Sequence, residues 1–409
     1  MSPDTLNKTL APPLSGWISS IEGSPTMALN AQAMALRRQG KDIVNLAAGE
    51  PDFDTPEHIR AAAHKALEEG KTHYTPTPGI PELREAVAAW ATKRVGRTYK
   101  PEQIIITPGT KFAVYMGLAA YIEPGDDVLI PTPYWVSYPP MVKMLGARPV
   151  YVWGGIEQDF KVTVDDLDRA RTTKTRGLMF NSPSNPTGAV YTAEETRAIA
   201  AWCARNNLWI LSDEIYVDLR YIDDPHCSIV GVDPRPDDWQ VLADGFSKCY
   251  AMTGWRLGVL AASAKLAKTA VRLAEQTTSC ASSISQYAAL AAVNGPQDEV
   301  RRMTSEFRKR RDRMRAELIQ IKDLGVGLPL GAFYFFLDVR AFFGRLTPNG
   351  NEVHSSEALC SYLLESVGVA AVPGEGFGAP GYVRISYASG LDVLLDAARR
   401  LRKGFEALE

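Results

Sequence analysis

Along the middle of the chain, apolar residues come in short runs separated by helix-like stretches. "QIIIT" (103–107), "DVLIP" (127–131), "GLMFN" (177–181), "LWILSDEIY" (208–216), "WQVLADG" (239–245) and "LGVLAA" (257–262) are rich in Val, Ile and Leu and close on turn residues. That pattern predicts strands. Helices are expected between them, at 110–122 and at "TAEETRAIAAWCARNN" (192–207). The second opens with Thr192 three residues before Glu195, a capping box. Strands alternating with helices predict an α/β fold, a mostly parallel sheet flanked by helices.

The texture changes outside this core. "MALNAQAMALRRQG" (27–40) has the period of one amphipathic helix closed by Gly40. Residues 296–320 predict a long, charged helix. "GAFYFFLDV" (331–339) and "YVRISYA" (382–388) predict strands, with a helix near 355–367 between them. Elements in blocks suggest a separate α+β unit. The expected division is a large domain over 58–299 and a smaller one built from 1–57 and 300–409. No internal repeat interrupts either.

Composition narrows the function classes. Basic and acidic residues number 45 and 47, a net charge of −2. This gives no electrostatic reason to expect nucleic acid or an anionic membrane as partner. The five cysteines are scattered and include no CxxC pair. That argues against a disulfide framework or a zinc site, so no metal is expected. No apolar run approaches the roughly 20 residues of a membrane helix. The first residues lack a basic segment followed by an apolar one, as a leader would have. The expected location is cytoplasmic.

Chemistry concentrates at predicted strand ends. "DGFSKCYAMTGWRLG" (244–258) holds Lys248 between Ser247 and Arg256. A lysine becomes a nucleophile when burial or neighbouring cations lower its pKa. Ser247 and Arg256 suit a phosphate. A solvated lysine at a strand end is the plain alternative. "NSPSNPTGAVY" (181–191) forces a turn at a strand's carboxyl end, where open α/β sheets bind ligands. Asn185 there could donate to a ligand oxygen or close an Asx-turn. "LSDEIY" (211–216) brings Asp213, Glu214 and Tyr216 to another strand end. A carboxylate there needs a partner if buried, either a protonated ring nitrogen or an arginine.

Gly109, Thr110 and Lys111 begin a helix directly after a strand, a natural anion site. Trp135 could be core or a flat platform for an aromatic ligand. Arg384 lies inside an apolar strand, where it needs a carboxylate, either a substrate's or an internal one. Together these groups fit pyridoxal 5′-phosphate (PLP) with an amino acid.

These stretches resemble the class I aminotransferases of PLP fold type I. "GFSKCYAMTGWRLG" (245–258) and "NSPSNPTG" (181–188) carry the likeness. It extends from "NLAAGEPDFDTPEHI" (45–59) through "YTPTPGIPELREAV" (74–87) to "YVRISYA", closest in pattern to the bacterial aspartate/prephenate branch. The resemblance implies transamination, with L-aspartate and 2-oxoglutarate giving oxaloacetate and L-glutamate. It implies that Lys248 carries PLP and shuttles the substrate proton, and that Asp213 keeps the pyridine nitrogen protonated. Asn185 and Tyr216 would bond the ring oxygen, and Trp135 would stack on the ring. Gly109, Thr110, Lys111, Ser247 and Arg256 would surround the phosphate. Arg384 would clamp the substrate carboxylate beside Gly49 and Asn185. Tyr74 would reach the phosphate of a neighbouring subunit, implying a homodimer with shared sites.

Two departures from the family pattern stand out. Gly245 replaces a frequent serine, which implies one phosphate contact fewer. The stretch 274–289 lacks the arginine that many members use for a distal carboxylate. Lys111, Ser24 and Thr26 are the candidates for that role. The same scaffold also serves aromatic, alanine-like, kynurenine or prephenate-type substrates, PLP β-lyases and, more remotely, PLP-sensing regulators.

Overall fold

The structure, a computed structural model, describes residues 14–23 and 25–409. The readings of the first residues as free of a leader and of Ser24 as a carboxylate contact lie outside the described residues. In chain order the strands are β1 (Val44–Asn45), β2 (Ile104–Thr107), β3 (Asp127–Thr132), β4 (Arg148–Trp153), β5 (Thr175–Asn181), β6 (Trp209–Asp213), β7 (Gln240–Gly245), β8 (Gly258–Ala261), β9 (Gly325–Val326), β10 (Tyr334–Asp338), β11 (Val369–Ala370), β12 (Val372–Pro373) and β13 (Tyr382–Ser386).

A seven-stranded sheet, in the order β2-β8-β7-β6-β5-β3-β4, forms the centre. Six of its strands run in one direction, and β8, antiparallel to both neighbours, is the reversed one. All six strands expected in this region occur. β4 was not anticipated. It is an edge strand with Pro149 and mostly accessible residues, so it lacks the continuous apolar run of a strand buried on both faces. In β7, Val241 faces one apolar cluster with Leu211 and Leu260, while Leu242 faces another with Val87 and Phe246. Such alternation into two cores requires cover on both faces.

The helix Ala193–Arg205 has the expected cap, Thr192 accepting from the Glu195 amide. The helix expected at 110–122 spans Thr110–Ala119, and that expected at 27–40 spans Pro25–Arg38. A four-stranded antiparallel sheet, β12-β13-β10-β9, makes a second centre. Phe307, Leu363 and Leu394, from helices Asp298–Leu318, Ser356–Val367 and Leu391–Glu406, pack there against Phe333 and Val383. No helix among the described residues is long and apolar enough to cross a membrane. No cluster of His, Cys, Asp or Glu among them could hold a metal ion.

Topology fixes where the site lies. β3, β5, β6 and β7 end at one edge of the large sheet. β2 ends there too, and the antiparallel β8 begins there. Residues following Thr107, Thr132, Asn181, Asp213 and Gly245 therefore gather along one crevice, where open α/β sheets take ligands.

Candidate active site

A cavity of about 520 Å³ occupies this crevice. Thr110, Lys111, Trp135, Asn185, Asp213, Tyr216, Ser247, Lys248, Arg256, Arg384 and Gly49 all line it. Gly109 adjoins it. Its φ is +86°, and a Cβ there would stand 2.5 Å from the Arg256 guanidinium. Tyr74 is not brought in; it is 90 % exposed. Of the three distal-carboxylate candidates, Lys111 and Thr26 line the cavity.

Lys248 is half-buried, and its Nζ donates to the Gly49 carbonyl at 2.5 Å. Burial lowers its pKa to about 8, helped by Arg384 and Arg256 and opposed by Glu50 and Asp213. Lys111 begins the helix Thr110–Ala119 and is likewise lowered, by burial and then by Arg256. Arg256 holds a left-handed backbone, φ +54°, and donates to the Thr253 carbonyl at 3.0 Å. Among the described residues, none of Lys111, Lys248, Arg256 and Arg384 has a carboxylate within 4 Å. The other two buried arginines among the described residues, Arg310 and Arg311, do, so this concentration of unneutralised cations points to an anionic ligand.

Asp213, ending β6, is the complementary case. Its Oδ2 accepts from the Tyr138 hydroxyl at 2.8 Å and its Oδ1 from the Ile215 amide at 3.3 Å. Burial nevertheless raises its pKa to about 6. A carboxylate so placed would gain from a cation in the cavity. Asn181, paired with Asp213 across β5 and β6, donates to the Asp213 carbonyl at 2.8 Å and accepts from the Asn185 amide at 3.0 Å.

Arg384, on β13, is 2 % exposed. It donates to Asn185 Oδ1 at 2.9 Å and to the Ala47 carbonyl at 3.1 Å, and its Nε is buried without a partner. Burial lowers its pKa. The internal Asp or Glu that could have claimed it is absent among the described residues. Asn185 accepts from Arg384, so its amide group remains able to donate.

Trp135 presents its ring beneath Lys111, 5.0 Å from the ammonium, and meets Tyr138 edge-on at 5.3 Å. Thr110 is committed elsewhere, its hydroxyl donating to the Asp244 carbonyl at 3.0 Å. Gly245 lies against it; a Cβ there would meet Thr110 Oγ1 at 2.5 Å. The departure at 245 therefore has a local cause, since Thr110 already occupies the space a serine would need. Sequence reasoning missed Tyr138, Asn181 and Tyr334. For the tyrosines the only signal was a hydroxyl on a residue otherwise suited to a core; Asn181 ends a strand at the start of the turn 181–188.

The donor set fits PLP. The clustered cations suit a phosphate, Asp213 suits a protonated ring nitrogen, and Trp135 offers a flat surface. The comparisons agree. The model of the class I and II aminotransferases matches residues 41–400. An aspartate aminotransferase of Geobacillus stearothermophilus is 41 % identical over 396 residues, 95 % of this chain and 98 % of that one. A probable aspartate/prephenate aminotransferase of Rhizobium leguminosarum is 42 % identical over 387 residues, 94 % and 97 % of the two chains. The solved aspartate aminotransferase of Rhizobium meliloti superposes with a TM-score of 0.93 at 37 % identity, covering 97 % of this chain and all of that one. Its counterpart from Thermus thermophilus with maleate gives 0.90 at 38 %, covering 96 % and 99 %. With a fold of type I and a family match over most of its length, the chain belongs to the PLP-dependent class I and II aminotransferases.

Proposed function

We propose that the protein transfers the amino group of L-aspartate to 2-oxoglutarate, giving oxaloacetate and L-glutamate. The observation that carries this reading is the buried Arg384 without a carboxylate partner, in one cavity with Lys248 and with a second carboxylate subsite. That subsite is Lys111 together with Thr26, whose hydroxyl is buried and unpartnered. The two suit the two ends of a dicarboxylic amino acid. Curated relatives named for aspartate, and the solved relative holding maleate, support the assignment. Relatives named for both aspartate and prephenate favour prephenate as a second acceptor at the same site.

When bound, PLP supplies an aldehyde carbon and a pyridine ring that takes up the electron pair released at substrate Cα. Lys248 Nζ is the covalent attachment point. As a free neutral amine, it takes the proton from substrate Cα, and its lowered pKa favours that form. Asp213 holds the proton on the ring nitrogen. Tyr216 and the Asn185 amide would donate to the ring oxygen, and Trp135 would stack on the ring. Ser247 and Arg256, with the helix start at Gly109 and Thr110 behind them, would hold the phosphate, and Lys111 would stand between it and the distal carboxylate. Arg384, braced by Asn185 near Gly49, orients Cα by gripping the α-carboxylate.

Tyr74, exposed in one chain, completes the phosphate site of a second copy in a homodimer. The division into 58–299 and into 1–57 with 300–409 is supported by largely separate apolar clusters around the two sheets, although Ile215, Tyr216, Leu219 and Tyr221 pack into the second. A cytoplasmic location suits the free, scattered cysteines.

The test is absorbance. Adding L-aspartate to the PLP-loaded protein should remove its visible band, and 2-oxoglutarate should restore it. A band lost with alanine or an aromatic amino acid but retained with aspartate would refute the dicarboxylate assignment.

A further inference from the structure

Tyr334 is the first residue of β10, in a segment that reads as plain apolar strand. Its register gives it another position. Tyr334 pairs with Ser386 and Phe336 with Arg384, so Tyr334 and Arg384 are diagonal neighbours on one face of the sheet. The guanidinium carbon of Arg384 lies 4.4 Å from the centre of the Tyr334 ring. At its other end, the Tyr334 hydroxyl is 2.9 Å from that of Tyr216, the rings meeting nearly at right angles. Both tyrosines line the cavity.

Either hydroxyl could donate to the other, and the direction follows from what Tyr216 does in the proposed function. Burial raises both phenols above their ordinary range, so both hydroxyls keep their protons. Among the described residues, Tyr216 is the single hydrogen-bond partner of the Tyr334 hydroxyl. In the proposed function Tyr216 spends its proton on the cofactor's ring oxygen; were it instead to donate to Tyr334, that contact would be lost and the cavity-facing oxygen left to accept. Tyr334 therefore donates to Tyr216, leaving the Tyr216 proton to point into the cavity. A hydroxyl that accepts one hydrogen bond becomes a stronger donor in the next.

We infer that Tyr334 is a positioning residue of the reaction, its hydroxyl setting the donor direction of Tyr216 and its ring bracing Arg384. One side chain thus joins the carboxylate grip to the hydroxyl that faces the cofactor. The inference rests on the proposed function, in which Tyr216 donates to the cofactor's ring oxygen.

Tyr334→Phe keeps the ring and removes only the hydroxyl. A weaker donor at Tyr216 leaves more negative charge on the ring oxygen, so the Lys248–PLP link holds its proton more tightly. The pH midpoint of the visible band should move upward by roughly 0.3–1 unit, the size of one neutral hydrogen bond. KM for aspartate should change less than about 3-fold. In a Tyr216→Phe background the same substitution should move the midpoint no further, which a general structural role would not predict. Tyr334→Leu should in addition raise KM about 3- to 30-fold through the lost ring–guanidinium contact. An unchanged midpoint in Tyr334→Phe, or an equal shift in both backgrounds, overturns the proposal. If the unsubstituted protein with PLP shows no visible band, the cofactor reading fails first, and the proposal with it.

Discussion

The two faces of the sheet's carboxyl edge use the same residue types to opposite ends. Asp213 and Glu214 are consecutive and both buried. Asp213 turns to the cavity, where two neutral donors leave its pKa raised to about 6. Glu214 turns away and accepts from Ser212, Ser228 and the His226 ring at 2.9, 2.6 and 2.7 Å. Despite complete burial its pKa is lowered, because those partners outweigh desolvation. Lys248 and Cys249 divide the same way. The lysine is held near neutrality in the cavity. The thiol is pushed far up by burial, and packs with Phe246 and Val87 as an inert apolar group.

Two arginines complete the contrast. Arg94, on the helix Pro81–Val95, donates to both Asp218 oxygens at 2.7 Å and lies 3.3 Å from Asp244. Arg384 has only an amide and a carbonyl. Charge by itself therefore does not distinguish scaffold from site. What distinguishes them is whether the protein supplies the countercharge.

The largest break in this comparison is at 248 and 249. Lys248→Ala should abolish the covalent visible band and lower turnover by roughly 10⁴-fold or more. Cys249→Ala should leave both near their original level. The pH dependence sharpens the point. PLP loading requires the neutral amine, so its rate should rise with pH and level off above about 8. An ordinary exposed lysine would keep the rate rising toward about 10.4. Stopped-flow absorbance separates the two curves.

Next in size is the arginine pair. Arg384→Leu should raise KM for aspartate about 10²–10³-fold, the cost of losing a buried carboxylate contact, with an unchanged melting temperature. Arg94→Leu strands Asp218 and Asp244 and should cost about 3–5 kcal/mol of stability, read from denaturant unfolding. Its effect on KM should be the smaller of the two. The reverse outcome would mean that Arg384 is scaffold.

The carboxylates come third, and here the sign depends on pH. The folded pKa of Asp213, about 6, lies above the ordinary aspartate value of about 3.9. Its charge therefore costs the cofactor-free protein stability as pH rises through that window. Asp213→Asn should melt like the unsubstituted protein below about pH 4. Above pH 6 it should be more stable, by up to about 3 kcal/mol. Turnover should meanwhile fall about 10²-fold or more. Glu214→Gln should do the opposite, losing about 1–3 kcal/mol with little change in kcat. Melting curves across pH 4–8 check both.

These pairs also show how far the sequence could be read. The strands were legible because most are buried on both faces and so carry unbroken apolar runs. Lys248, Asp213, Asn185 and Arg384 drew attention because polar residues at the ends or middle of such runs need an explanation, but the pattern left each ambiguous, and their roles came from the resemblance to the aminotransferases. Glu214 and Arg94 drew no separate reading. Their partners His226 and Asp218 lie 12 and 124 residues away, and only the fold brings them together. Tyr138 and Tyr334 stayed hidden for a related reason. Whether a tyrosine's hydroxyl meets a carboxylate or another phenol depends on packing that no local pattern encodes. β4 escaped because an edge strand has one ladder to satisfy and can carry Pro149 and exposed residues.

The smallest effect tests whether local packing explains the departure at Gly245. The backbone there is not left-handed, so glycine is required by space alone. A Cβ would stand 2.5 Å from Thr110 Oγ1 and 3.0 Å from Gly258 Cα. Gly245→Ser must push the Thr110 hydroxyl off the Asp244 carbonyl and shift the start of the phosphate-facing helix. A cost of about 1–3 kcal/mol is expected from overpacking, with PLP retained several-fold less well on dialysis. Adding Thr110→Ala removes the nearer obstacle and should restore part of both losses, the Gly258 contact remaining. If Gly245→Ser alone holds PLP more tightly, the serine reaches the phosphate directly. Thr110 would then not be the group that excludes it.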